Sequence, residues 1–193
     1  MQDELYRLAL QTLKQVDNEI ADSFQACFPD IEQLPKKAIK ETILPISSVV
    51  PRVGGTSTAT SELVDAIKKC YLHQSWRQPY SIEDFGSQFF SKSAWFPIAD
   101  INGPIVYSSG LMEIMLLDAG LKYPNHKHSP EELYVVLAGN VLWEVENKII
   151  GWKQAGDVIH HAPNQIHSIT GGDQPVLILN LWRGGSFEKP EII

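Results

Sequence analysis

Positive charge is scarce in this chain of 193 residues. Sixteen Lys and Arg face twenty-three Asp and Glu, a formal net charge of -7. No basic stripe offsets that balance, so a nucleic-acid partner is not expected. Cysteine is nearly absent: Cys27 and Cys70 stand alone, each in a helical stretch and away from any histidine cluster. Two isolated cysteines exclude a disulfide framework and read as buried or incidental thiols. No apolar run approaches the roughly 18–20 residues that cross a bilayer, so no membrane partner is expected. The opening Met-Gln-Asp-Glu-Leu lacks a basic stretch leading into an apolar one, which makes a cytoplasmic location the expectation. Repeats and low-complexity segments are missing too.

What is present is ordinary globular material, 44% hydrophobic and 20% charged, enough for one buried core with an appended element. Residues 1–95 read as a helical region packed on the rest. Leu5, Leu8, Leu10, Leu13, Val16, Ile20 and Phe24 recur at helical spacing, predicting one amphipathic helix from Asp3 to about Phe28. Its stripe suits the core or the contact of a homodimer. A short helix over Lys36–Ile43, a loop over Ser48–Ser57 and a helix from Glu62 to His73 capped by Ser61 follow. Ser81 with Asp84 three residues on is a capping box.

The texture changes near residue 95. Short β-branched and aliphatic runs follow: Ile105–Tyr107, Leu111–Leu117, Leu133–Leu137, Val141–Val145, Lys148–Ile150, Val158–His160, Ile166–Thr170 and Val176–Trp182. Such spacing predicts a small antiparallel barrel or jelly roll over residues 96–193, with hairpin-like turns at Ala138-Gly139-Asn140 and Glu146-Asn147-Lys148. The fold class is therefore mainly β with α.

The chemistry concentrates between Gly120 and Gly139. His126 and His128 are two apart and share one face of an extended segment; Glu132 and Tyr134 share a face of the next strand. His167 returns from a later strand, past the Gly156-Asp157 turn. Imidazoles with a carboxylate suit one divalent transition metal: Zn, Fe, Mn, Co or Ni. Whether His126 binds the metal or stands behind it is left open. His160 and His161 are adjacent, so at most one can face the site. Glu131 reads as solvated, His73 as solvated, and Trp143 and Trp152 as packing.

Gly120, His126-x-His128, Glu132 and Gly139 resemble the first motif of the cupin superfamily at every defining position. The second motif is looser: Gly156-Asp157 and His167 keep their separation, but Pro163 falls one place late. Asn164 replaces the usual glycine, with tolerance for a left-handed backbone, and Gly171 replaces the usual asparagine. This resemblance covers roughly residues 105–183. More narrowly, Tyr123-x-x-His126-x-His128-x-Pro130-x-Glu132-x-Tyr134, then His161-x-Pro163-x-x-x-His167 and Trp182, is similar to the cupin-type dimethylsulfoniopropionate (DMSP) lyases. The Q-type subgroup, with a helical N-terminal region of similar length, is nearest in layout.

That resemblance implies a carbon–sulfur lyase that splits DMSP into dimethyl sulfide and acrylate. It implies that His128, Glu132, Tyr134 and His167 surround the metal, that Tyr134 is the base and that Tyr123 is in the active site. Trp182, Tyr123 and Tyr107 are candidate aromatic faces for the sulfonium, and His161 a candidate beside them. A cupin dioxygenase or another metal-dependent enzyme acting on a small carboxylate stays open. So does a metal-binding sensor domain without catalysis.

Overall fold

The computed structural model describes residues 1–193. Its helices are α1 (Gln2–Gln15), α2 (Glu19–Gln25), α3 (Ser61–Cys70) and α4 (Ile82–Lys92). Eleven strands follow: β1 (Ser93–Asp100), β2 (Ile105–Val106), β3 (Gly110–Leu117), β4 (Lys122–Lys127), β5 (Glu131–Ala138), β6 (Asn140–Val145), β7 (Lys148–Gln154), β8 (Val158–His161), β9 (His167–Gly171), β10 (Val176–Arg183) and β11 (Glu191–Ile192). They form two sheets, ordered β2-β1-β3-β10-β5-β8 and β11-β4-β9-β6-β7. All pairings are antiparallel except β1 with β2. The expected mainly-β architecture with a helical N-terminal region is what the chain forms.

The six-stranded sheet is the middle of three layers, so β3 and β10 are covered on both faces and are buried along nearly their whole length. Ile114, Leu133, Val135, Leu177 and Leu179 face one way, onto Leu5, Leu13, Leu63 and Ile67 of α1 and α3. Met115, Tyr134, Val136 and Ile178 face the other way, meeting Trp143 and Ile169 of the second sheet. The strand period of two thus divides each strand between two cores. Replacing Leu179, which is fully buried, with alanine is expected to cost about 2–5 kcal/mol by chemical denaturation. Metal content should stay unchanged, because Leu179 faces the helices.

Several expected elements differ. The long first helix breaks at Asp17, whose φ of +49° is left-handed. Asn18 then caps α2, its Oδ1 accepting from the amides of Ile20 and Ala21. The apolar stripe of α1 is spent inside the molecule, so that face is not free for a dimer contact. Residues 36–43 are extended, not helical. Their backbone pairs with Pro104, Ile105 and Gln74 instead. Pro45–Arg52 winds as a 3₁₀ helix that buries Ile46, Val49 and Val50 where a loop was expected. Ser61 is the first residue of α3, preceded by Thr60, and the helix ends at Cys70 before a 3₁₀ turn at Tyr71–His73. The Ser81–Asp84 capping box forms as expected.

Strand β1 was not anticipated, because Pro97 interrupts its pattern. The proline sits at a register shift, where the ladder forgoes a donor. Glu146 and Asn147, with φ of +51° and +61°, make a two-residue hairpin between β6 and β7. Ala138-Gly139-Asn140 is not a hairpin: β5 and β6 lie in different sheets, and Gly139 turns the corner at φ +80°. A Cβ there would stand 2.9 Å from the Pro175 carbonyl oxygen, which explains the glycine. Asn164 adopts φ +62°, the left-handed conformation its amide side chain tolerates. Trp152 is 57% exposed on edge strand β7 and does no packing.

Candidate metal centre and active site

Antiparallel pairing of β4 with β9 sets His126 directly opposite His167. His128 follows β4, and Glu132 opens β5 across from His161 and Trp182. His126, His128, Glu132 and His167 are all buried. The three histidines present nitrogens within 4.8 Å of one another.

Their tautomers follow from their partners. His126 Nδ1 donates to the Pro124 carbonyl at 2.9 Å, His128 Nδ1 to Pro130 at 3.1 Å and His167 Nδ1 to Gln165 at 2.9 Å. In each case the carbonyl is two residues away, so the backbone itself fixes the ring. A proton on Nδ1 leaves each Nε2 with a lone pair turned inward. The Nε2 atoms of His126 and His167 have no aligned hydrogen-bond partner. Glu132 Oε2 lies 2.9 Å from His128 Nε2 and 3.1 Å from His167 Nε2. Lone pairs facing a buried carboxylate at such distances need a cation or a proton between them. These four side chains form a group that can hold a metal ion. His126, left open by the sequence, stands among them with an unpaired nitrogen aimed at the others.

The electrostatics agree. Burial alone would raise the Glu132 carboxyl, yet His128 and His167, when a proton on Nε2 takes the place of a cation, hold it well below the usual carboxylate range. Burial pushes His126 down, and His167 adds to that. Burial and the Glu132 charge drive the Tyr134 hydroxyl well above its ordinary value. A cation among the histidines would act in the opposite direction.

Beside this cluster lies a cavity of about 350 Å³, with Tyr80, Trp95, Tyr123, Tyr134, Trp182 and Phe187 in its wall; the three histidines and Glu132 stand outside that lining. The Tyr123 ring stacks on His126 with centroids 4.0 Å apart. Its hydroxyl is hydrogen-bonded to that of Tyr80. Trp182 donates Nε1–H to Glu132 Oε1 at 2.5 Å and lays its ring beside His128. Tyr134, Tyr123 and Trp182 are thus brought together, as the sequence suggested.

Two candidates are not. Tyr107 turns to the outer surface, its hydroxyl donating to the Cys27 carbonyl at 2.5 Å and its ring against Phe28. It lines a separate groove, because β2 is the far edge of the six-stranded sheet. His161 does not line the cavity. Its ring stacks flat behind His167, with centroids 3.9 Å apart. Both its nitrogens are engaged: Nε2 accepts from Trp143 Nε1 at 3.0 Å, and Nδ1 faces Gln165 Oε1 at 3.3 Å. It also forms a compact group with Glu132 and His167, but with its nitrogens occupied it orients His167. Trp143, read as packing, therefore has this second task. Glu131, read as solvated, is clasped by Arg183 and His160.

Burial and the neighbouring His167 push His161 down to about 3. As pH falls through the ordinary histidine value of about 6.5, the unfolded chain takes up a proton that the folded chain refuses. The folded state therefore loses stability between pH 6.5 and 3, by about 2 kcal/mol at pH 5. Urea unfolding in chelator at pH 7 and pH 5 checks this: His161→Gln should lose that much less than the wild type.

The residues that the sequence reading missed lie on the far wall: Arg77, Tyr80, Trp95, Asp100, Glu113 and Asn180. Glu113 and Asn180 did leave a signal. Each is the one polar residue in an otherwise apolar strand run, Leu111–Leu117 and Val176–Leu181.

Similar known proteins point one way. A curated DMSP lyase, DddQ of Ruegeria pomeroyi (strain ATCC 700808 / DSM 15171 / DSS-3), is 30% identical over 129 residues. The match covers 67% of this chain but 64% of the relative, so the aligned part spans under two thirds of that protein. A chain from the crystal structures of the DMSP lyases RdDddP and RnDddQII superposes with a TM-score of 0.83 at 28% identity. That superposition covers 97% of this chain and 98% of the other. The crystal structure of Ruegeria pomeroyi DSS-3 DddQ shares the fold, with a TM-score of 0.75 at 22% identity over 94% and 95% of the two chains. The sequence model of one family matches residues 8–178, a span that holds the histidine and glutamate cluster, all three cavity tyrosines and most of the helical layer. The chain belongs to the dimethylsulfoniopropionate lyase family.

Proposed function

We propose that this protein cleaves DMSP by β-elimination to dimethyl sulfide and acrylate, with one divalent transition metal held by His126, His128, Glu132 and His167. The observation that carries this reading is the convergence of three inward imidazole lone pairs and a buried carboxylate beside a hydroxyl, Tyr134, in an aromatic cavity. The donor set of borderline nitrogens and a hard oxygen suits Zn, Fe, Mn, Co or Ni. When bound, such an ion supplies Lewis acidity toward the substrate carboxylate, which eases loss of the neighbouring proton.

The chain's own residues do the rest. The ionised Tyr134 oxygen takes the α-proton, and the C–H electron pair becomes the Cα–Cβ double bond. The Cβ–S bond breaks, and its pair leaves with sulfur as neutral dimethyl sulfide. Tyr123, tied to Tyr80 and stacked on His126, offers an aromatic face to the sulfonium, and Trp182 another, at about 1–2 kcal/mol each when desolvated. Phe187 and Pro190 of the C-terminal arm close the cavity and limit water. The test is headspace dimethyl sulfide from metal-replete protein incubated with DMSP. Release is expected; silence with each of several divalent metals would overturn the reading.

A further inference from the structure

A second polar constellation walls the cavity beyond Tyr134. Strand register aligns Tyr134, Asn180 and Glu113 across β5, β10 and β3. Glu113 thus lies two strand spacings from Tyr134, about 10 Å. Arg77 enters from the segment before α4, with Nη1 2.9 Å from Asp100 Oδ2 and Nη2 2.7 Å from Glu113 Oε2. Asn180 donates Nδ2–H to Glu113 Oε1 at 3.2 Å. Asn180 is 3% exposed, and its Oδ1 has no partner.

The imbalance has a chemical meaning. One guanidinium meets two carboxylates, and both of its terminal nitrogens are engaged, so it cannot clamp a substrate anion. Lys189, the other cation of the wall, is paired with Asp84. What remains is excess negative charge and an acceptor oxygen without a donor. Neither suits a carboxylate or a neutral thioether. Both suit a cation whose methyl groups are polarised and which carries no N–H or O–H. Burial raises the Glu113 carboxyl while Arg77 pulls it back, and a bound cation favours its ionised form.

We infer that Glu113, Asp100 and Asn180 form an onium-selecting subsite, which holds the cationic end of a zwitterion whose carboxylate lies at the histidine cluster. This rests on the reaction proposed above and adds what sets its substrate class. The sulfonium loses its charge as the C–S bond breaks, so this wall stabilises bound substrate more than the transition state. Glu113→Gln should accordingly raise KM for DMSP about tenfold, equivalent to about 1.4 kcal/mol, while kcat does not fall.

Calorimetric titration of metal-loaded protein tests the subsite without turnover. The two ligands are the zwitterion 3-(trimethylammonio)propionate and 4,4-dimethylpentanoate, an isostere with the same carboxylate and an uncharged head group. The wild type should bind the cation about tenfold tighter. Glu113→Gln should lessen that preference several-fold while affinity for the isostere holds. Asp100→Asn, at the end of β1 and outside the row of Tyr134, Asn180 and Glu113, serves should the first variant not fold. Equal affinity of the wild type for both ligands, or an unchanged preference in every variant that folds, overturns the subsite alone. Failure of both ligands to bind overturns the carboxylate site, and with it both this inference and the proposed reaction.

Discussion

Tyr134→Phe should reduce dimethyl sulfide release by about 10²–10⁴-fold, the range for losing a positioned proton carrier. The ring stays because its packing is apolar: Trp143 stands edge-on with centroids 5.0 Å away, and His167 lies beyond it. Only the oxygen goes, so the fold and the four candidate ligands are left intact. Metal content by elemental analysis, measured alongside headspace product, separates two roles for the hydroxyl. Retained metal with lost turnover identifies a base; joint loss identifies a ligand. Undiminished release would remove Tyr134 from the chemistry altogether. The sign of its acidity matters here. Burial and Glu132 both disfavour the phenolate, so without a cation among the histidines Tyr134 should stay protonated in alkali that ionises ordinary tyrosines.

The second large effect is expected at Glu132. Its Oε2 serves two histidines, and its Oε1 accepts from Trp182. Glu132→Gln removes the only charge that a cation would find in the cluster, and it offers an N–H to a lone pair that otherwise has none. Metal affinity should therefore fall by more than about 100-fold, while the metal-free variant folds at least as well as the metal-free wild type. Thermal unfolding reads both effects. With metal at a hundred times its dissociation constant the wild type gains about 2.7 kcal/mol, which for a chain of this size is about 5–10 °C. Chelator should erase that gain in the wild type and change nothing in the variant. A variant that keeps its chelator response would show that the ion is held without Glu132.

The candidate ligands were legible because their order along the chain is local. His126 and His128, then Glu132 and Tyr134, obey strand alternation within nine residues, and only His167 needs a remote partner strand. The far wall obeys no such rule. Arg77, Asp100, Glu113 and Asn180 come from four separate segments and meet only when β1, β3 and β10 pair. A lone charge inside an apolar run, as at Glu113, hints that something lies opposite but not what. The helical errors have a similar origin. Apolar spacing runs on through Asp17, and only the capping capacity of Asn18 marks the break. Residues 36–43 carry helix-compatible side chains whose backbone finds better partners in distant segments. Tyr107 failed as a candidate because it directly follows β2, the outer edge strand of its sheet, a placement that local sequence does not reveal.

The anchoring of three imidazoles by carbonyls two residues away has a bearing on how such an enzyme changes over time. Because backbone atoms aim the rings, drift in nearby side chains leaves that orientation untouched. The wall proposed to hold the cationic end of the substrate is built from other segments and can be rewritten independently. A lineage could thus exchange one zwitterion for another, or for a neutral acid, by altering the partners of Arg77 and Asn180. The candidate metal centre would pass through such a history unchanged, and kinship read from its histidines alone would overstate how much of the substrate preference is shared.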